Sequence, residues 1–236
     1  MAAAFQRVLL KLSGEALMGD AAYGISPEKL AYVAGEIRQL REMGIALGLV
    51  IGAGNIFRGV AGASTGMDRA QADNMGMLAT VINALAMHDV LERQGIGARV
   101  LSGIAMPAVC ETYSRQKALH HLAKGRVVIF AAGTSNPYFT TDTAAVLRGL
   151  EMGAEVICKA TRVDGVYDKD PLKHADAIKF DRLSYAEVLQ QRLKVMDAAA
   201  ISLAMDNRKA IMVFDMNVPG NMKKAISGDA VGTLIS

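Results

Sequence analysis

Short, continuous apolar runs recur along this chain, each separated from the next by a stretch of helical length and periodicity. Arg7–Leu12, Ile45–Ile51, Ala98–Ser102, Arg126–Ala131, Glu155–Lys159 and Ile211–Asp215 read as strands. Several lack the polar alternation of a half-exposed strand, so they are expected to be covered on both faces. The stretches between them read as helices. Pro27–Met43 opens with Ser26 as N-cap and Pro27 at the first helical position, and Gly44 stops it. Met67–Gln94 sets Met75, Leu78, Ala79, Ile82, Leu85 and Ala86 along one face, expected to pack on the core or on a second copy of the chain. Thr140–Met152 and Met196–Arg208 complete the main set. This alternation demands an α/β sandwich around a mostly parallel sheet. No repeat, linker or low-complexity segment divides residues 1–236, which read as a single domain.

Composition narrows the partners. With 52% hydrophobic and 21% charged residues over 236 positions, the chain can build a sizeable core. Its 26 basic residues are scattered against 23 acidic ones, aromatics are 5% and Trp is absent, so nothing points to a nucleic-acid partner. Cys110 and Cys158 lie in apolar contexts and read as buried free thiols; with four scattered His they form no zinc spacing, and no metal ligand is assigned. The longest uncharged runs, Met43–Phe57 and Val127–Thr141, are too short for a membrane span, and Met1–Lys11 has no apolar stretch of signal length. A soluble, reduced, cytoplasmic chain is expected.

In sheets of this class ligands bind beyond the carboxyl ends of the strands, and the informative residues follow the strands. Lys11 leaves the first strand beside Ser13-Gly14, where it either meets an anion or snorkels to solvent. The chain lacks G-x-x-x-x-G-K-[ST], which excludes a P-loop. The second strand runs into Gly52-Ala53-Gly54-Asn55-Ile56-Phe57-Arg58-Gly59. Its small residues could close backbone N–H groups around a phosphate, with Arg58 forking onto it. A plain tight turn fits equally, and the spacing misses the dinucleotide fingerprint. Gly133–Asp142 gathers hydroxyls, an amide and a carboxylate before a helix; it can hydrogen-bond the edge of a planar heterocycle, or merely cap the helix through Thr140 or Thr141. Ala160–Pro171 combines an Asp-Gly turn with Tyr167, a candidate for base stacking, and several carboxylates. Asp197, after Lys194-Val195-Met196, opens a helix and is readable as a plain N-terminal carboxylate.

Taken together and in this order, these segments resemble the amino acid kinase family, and within it the bacterial branch that phosphorylates UMP. Lys11–Leu17, Gly54–Gly59, Met75–Thr80, Asn136–Asp142, Lys159–Tyr167 and Lys194–Asp197 carry the resemblance, which extends from about Val8 to Ile235. It implies a three-layer α/β/α fold and transfer of the γ-phosphoryl of ATP to UMP in pyrimidine nucleotide synthesis, with Mg²⁺ on the donor phosphates. It further implies a homohexamer inhibited by UTP and activated by GTP. By position, Lys11, Leu12, Ser13 and Gly14 would cradle the ATP phosphates, and Gly54 and Arg58 would lie where the two substrates' phosphates meet. Thr161, Tyr167 and Asp170 would contact the adenosine side. Ala53, Asp73, Thr134, Ser135, Asn136, Pro137, Tyr138, Phe139, Thr140 and Thr141 would receive UMP, with Asp73 on its ribose. Lys11, Arg58 and Asp197 would be catalytic, Asp197 orienting Lys11.

Two residues depart from the family pattern. Ala53 and Ser135 stand where glycines are common, and each costs stability if its φ is positive. Competing readings are a family kinase acting on a carboxylate or carbamate, a non-catalytic storage member of the family, and a dinucleotide-dependent dehydrogenase. The Asn136–Asp142 stretch speaks against the first, the joint presence of Lys11, Arg58 and Asp197 against the second, and the glycine spacing against the third.

Overall fold

The computed structural model describes residues 3–57 and 66–236. Its strands are β1 (Arg7–Leu12), β2 (Ala46–Ile51), β3 (Ala98–Ser102), β4 (Glu111–Thr112), β5 (Val127–Ala131) and β6 (Val156–Thr161). They continue with β7 (Val166–Tyr167), β8 (Lys179–Phe180), β9 (Arg182–Leu183), β10 (Ile211–Asp215) and β11 (Thr233–Ile235). The α-helices are α1 (Pro27–Glu42), α2 (Arg69–Arg93), α3 (Arg115–Ala123), α4 (Thr141–Glu151), α5 (Tyr185–Gln190), α6 (Ala198–Asp206) and α7 (Asn221–Ser227). Nine strands form one sheet in the order β4-β3-β5-β2-β1-β6-β10-β11-β9. Every pairing in it is parallel except β10 with β11. β7 and β8 make a separate antiparallel ribbon.

The alternation of side chains along a strand sorts the core into two layers. On β1, Val8, Leu10 and Leu12 join one apolar cluster with Leu30 and Ile37 of α1, Val81 and Met87 of α2, and Met222 of α7. Leu9 joins the other, with Leu122 of α3, Val146 of α4, Val188 of α5 and Ile201 of α6. The result is an α/β/α arrangement whose central strands, buried on both faces, are the continuous apolar runs of the sequence.

Six of the seven described α-helices start with a side-chain N-cap, and α7 starts after Gly220 without one. Ser26 accepts from Lys29 N, and Pro27 follows as the first helical residue. On α2 the expected stripe does not all pack on the sheet. Its core face is Met77, Val81, Ala84, Met87 and Leu91, whereas Met75, Leu78 and Ile82 face outward, 43%, 48% and 51% exposed. The helix is apolar on more than one side, so periodicity alone could not select the side that meets the sheet.

Candidate active site

β1 and β6 are adjacent and parallel, and their register pairs Lys11 with Lys159. Two ammonium groups side by side on one sheet face repel each other. The carboxylate of Asp142, in the first turn of α4, lies between them, with Oδ1 2.8 Å from Lys11 Nζ and Oδ2 2.9 Å from Lys159 Nζ. Lys159 also donates to the Val195 carbonyl. Burial opposes ionisation of Asp142, but the two ammonium groups outweigh it and hold the carboxyl below the usual aspartate range. Burial, reinforced by the charge of Lys11, lowers the pKa of Lys159 from the ordinary lysine value, against the pull of Asp142.

Asp197, expected to orient Lys11, is engaged elsewhere. It is the N-cap of α6, accepting from Ala200 N at 2.8 Å, from Thr143 Oγ1 at 3.0 Å and from the Thr140 hydroxyl. The carboxylate that meets Lys11 belongs to Asp142. Both acids open a helix, and only the register that sets α4 over β1 and β6 distinguishes them. Thr140 is itself the N-cap of α4, accepting from Asp142 N at 3.0 Å. The Thr140–Asp197 bond therefore ties two helix starts together, and their positive ends converge on the ground between Lys11 and Lys159.

The loops after β1 and β2 meet backbone to backbone. A Cβ on Gly14 would lie 2.4 Å from Asn55 Oδ1, 2.5 Å from Gly52 O and 2.8 Å from Gly54 N, so no larger residue fits there. Asn55 and Asn83, both buried, exchange side-chain amide hydrogen bonds of 2.9 and 2.7 Å. Asn83 also donates to Gly52 O at 2.7 Å, and Asn55 to Gly24 O at 2.9 Å. This pair fixes the Gly52–Gly54 turn. Asn83 was missed in the sequence because a lone amide on an apolar helix carries no spacing signal. Arg58 lies outside the described residues.

Two cavities lie near the Lys11–Asp142–Lys159 cluster: Lys159 lines the larger, and Thr141, next to Asp142 in the chain, lines the smaller. The smaller, of about 330 Å³, lies between the loop after β2, the first turns of α2 and the β5–α4 loop. Of the residues expected around UMP, Ala53, Asp73, Thr134, Phe139, Thr140 and Thr141 line it, with Gly54. Ser135, Asn136, Pro137 and Tyr138 are not in the lining. Asn136 folds back onto Thr134 through its Nδ2, 3.1 Å from Thr134 O, and Tyr138 is 68% exposed. Ser135 does adopt a positive φ of 68°, as its glycine-like position foreshadowed, while Ala53 does not.

The larger cavity, of about 650 Å³, is bounded by Lys159, the 163–174 loop and residues 191–195. Thr161, Tyr167 and Asp170 all line it. The Tyr167 hydroxyl donates to Asp164 at 2.5 Å, and that bond raises the phenol's pKa from its ordinary value. Leu12 is wholly buried, so it can reach a ligand only through its backbone.

The cluster has a consequence for stability. Asp142→Asn leaves the two lysines facing each other uncompensated. A loss of about 2 kcal/mol is expected, below the roughly 3–5 of a wholly buried pair because the site opens to cavities. The folded-state pKa of Asp142 lies below its unfolded value of 3.8. Its contribution is therefore complete above that pH and disappears as pH falls through the folded-state pKa. Thermal melts should show a gap between wild type and variant at neutral pH that closes in acid; a gap independent of pH would contradict the role given to the carboxylate.

Residues 6–215 match the amino acid kinase family. A uridylate kinase of Paramagnetospirillum magneticum is 56% identical over 234 residues, covering 99% of this chain and 98% of that protein. Among solved structures, the UMP kinase of Bacillus anthracis superposes with a TM-score of 0.95 at 40% identity, over 98% of this chain and 96% of that one. The UMP kinase of Ureaplasma parvum gives 0.92 at 34% identity, over 98% of each chain.

Proposed function

The chain belongs to the amino acid kinase family, and from that premise we propose that the larger cavity takes ATP, the smaller takes UMP, and the γ-phosphoryl passes between them beside Lys11 to give ADP and UDP. The observation that carries this reading is the Lys11–Asp142–Lys159 cluster at the carboxyl ends of parallel strands, with Lys159 lining the larger cavity and Thr141, beside Asp142, lining the smaller. Phosphoryl transfer needs in-line positioning and neutralisation of charge spread over the transferring oxygens. Lys11, the turns at Gly14 and Gly54, and the two helix starts supply fixed positive potential there. Asp142 holds the Lys11 ammonium in place, and Asp197 acts at one remove by fixing the α4 and α6 caps. Thr161, Tyr167 and Asp170 border the nucleoside of ATP. Asp73 and Thr134–Thr141 serve UMP, and Arg58 bridges the phosphates.

Mg²⁺ would be held by the donor phosphates of ATP and would add positive charge there. The donor set suits this, because Asp142 and Asp197 are already engaged by lysines, hydroxyls and a backbone amide. Among the described residues no three His, Cys, Asp or Glu side chains converge as a cage. The reading treats residues 1–236 as one cytoplasmic catalytic domain in pyrimidine nucleotide synthesis, with UTP as inhibitor and GTP as activator. No helix among the described residues is long and apolar enough to cross a membrane.

A homohexamer belongs to the same proposal, and the outward Met75–Leu78–Ile82 stripe of α2 supports association, since exposed apolar side chains in line favour burial against another copy. Light scattering should give a mass near six chains. An active monomer at micromolar concentration would contradict the assembly. The activity itself is tested by ADP release on adding UMP to enzyme, ATP and Mg²⁺.

A further inference from the structure

We infer that Arg69 is a positioning residue for the acceptor nucleotide and acts through Asp73. Arg69 opens α2, one turn before Asp73, and its Nε donates to Asp73 Oδ2 at 2.8 Å. The same oxygen accepts from Tyr138 N, also at 2.8 Å. Tyr138 reaches it because its backbone turns through a φ of 71°, an uncommon conformation for an aromatic residue. Its ring in turn lies 5.6 Å from the Arg69 guanidinium carbon, which restrains the arginine from the other side. Both bonds fall on one oxygen, so Oδ1 is the atom Asp73 offers to the cavity it lines.

Charge explains why the arginine is needed. Among the described residues lining the smaller cavity, Arg69 and Asp73 are the two charged ones, and they neutralise each other. The Asp73 side chain is only 12% exposed. Left alone in that setting, its carboxylate would repel the phosphate dianion of a nucleotide monophosphate entering the same space. Arg69 cancels that repulsion and orients the carboxylate, while Tyr138 N–H ties both to the loop that faces the base.

This inference rests on the assignment of the smaller cavity to UMP, and one set of kinetics separates the two. Wild type, Arg69→Ala, Asp73→Asn and the double variant are compared with UMP varied at saturating ATP. Each single variant should raise KM for UMP about 10-fold, as for loss of a charge-assisted hydrogen bond, with kcat nearly unchanged. The double variant should be no worse than Asp73→Asn alone within about twofold, because the arginine works through the aspartate. Arg69→Lys, which retains the charge, should recover much of the loss; a merely structural role would lower Tm with KM unmoved. Multiplying increases in the double variant, or an unchanged KM in Arg69→Ala, would overturn the inference. An unchanged KM in Asp73→Asn would instead remove the cavity's assignment to UMP, and the inference with it.

Discussion

Lys11→Met is expected to lower kcat by about 10²–10³-fold, a cost of roughly 2.7–4 kcal/mol in the transition state, typical of losing one preorganised electrostatic contact. The KM for UMP should stay within about twofold of wild type, since the lysine stabilises charge that develops only during transfer. Geometry gives the reason. Lys11 lies one residue before the end of β1, flanked by the buried Leu10 and Leu12, and its ammonium is held 2.8 Å from Asp142. Methionine has similar length and no charge, and its introduction relieves repulsion with Lys159, so folding should not suffer. Steady-state kinetics with a thermal melt as control separate the cases. A variant with raised KM and preserved kcat would place Lys11 in ground-state binding of the acceptor.

Much of this arrangement was legible in the residues, for reasons that differ from element to element. The six apolar runs became the central strands because burial on both faces leaves no room for polar alternation, and three of them match end to end: β1, β3 and β10. The long helices were visible through their caps and stops, with boundaries shifted by one or two residues. The short elements were not. β4, β7, β8 and β9 have two residues each, fewer than one period of any pattern. α5 did carry a signal, the capping box of Ser184 and Glu187, and reading it would have located a helix too short for periodicity.

Within the site, motif order singled out residues that line the two cavities, Asp73 and Thr141 in one and Thr161 and Tyr167 in the other, but could not assign partners. Asp142 and Asp197 look alike in sequence, each a carboxylate at a helix start. Their roles divide because α4 lies over the pair of lysines while α6 presents its cap to Thr140 and Thr143. Partnership across a sheet depends on register, which a single sequence does not display. Asn83 was invisible because a lone helical amide does not announce a partner far along the chain, whereas Arg69 and Asp73 have the i,i+4 spacing of a helical ion pair, a signal the sequence did carry. Of the two glycine-like positions, Ser135 has a positive φ and Ala53 does not, a difference the sequence left open.

The central claim is that the smaller cavity accepts UMP for phosphorylation, and acceptor selectivity tests it most directly. In the proposed function, groups of the loop from Gly133 to Thr141 pair with the edge of a base. A site built on such hydrogen bonds rejects analogues that leave its groups unpaired, by up to about 10⁴–10⁵-fold. Cytosine reverses donor and acceptor at two adjacent edge positions of uracil, N3 and the C4 substituent, while keeping the same size, sugar and phosphate, so it isolates that term. ADP release should be measured with UMP, CMP, dTMP and glutamate as acceptors under identical ATP and Mg²⁺. The account predicts UMP as the preferred substrate, with kcat/KM for CMP lower by about 10³-fold or more. Equal kcat/KM for UMP and CMP, or turnover with glutamate in place of UMP, would contradict it.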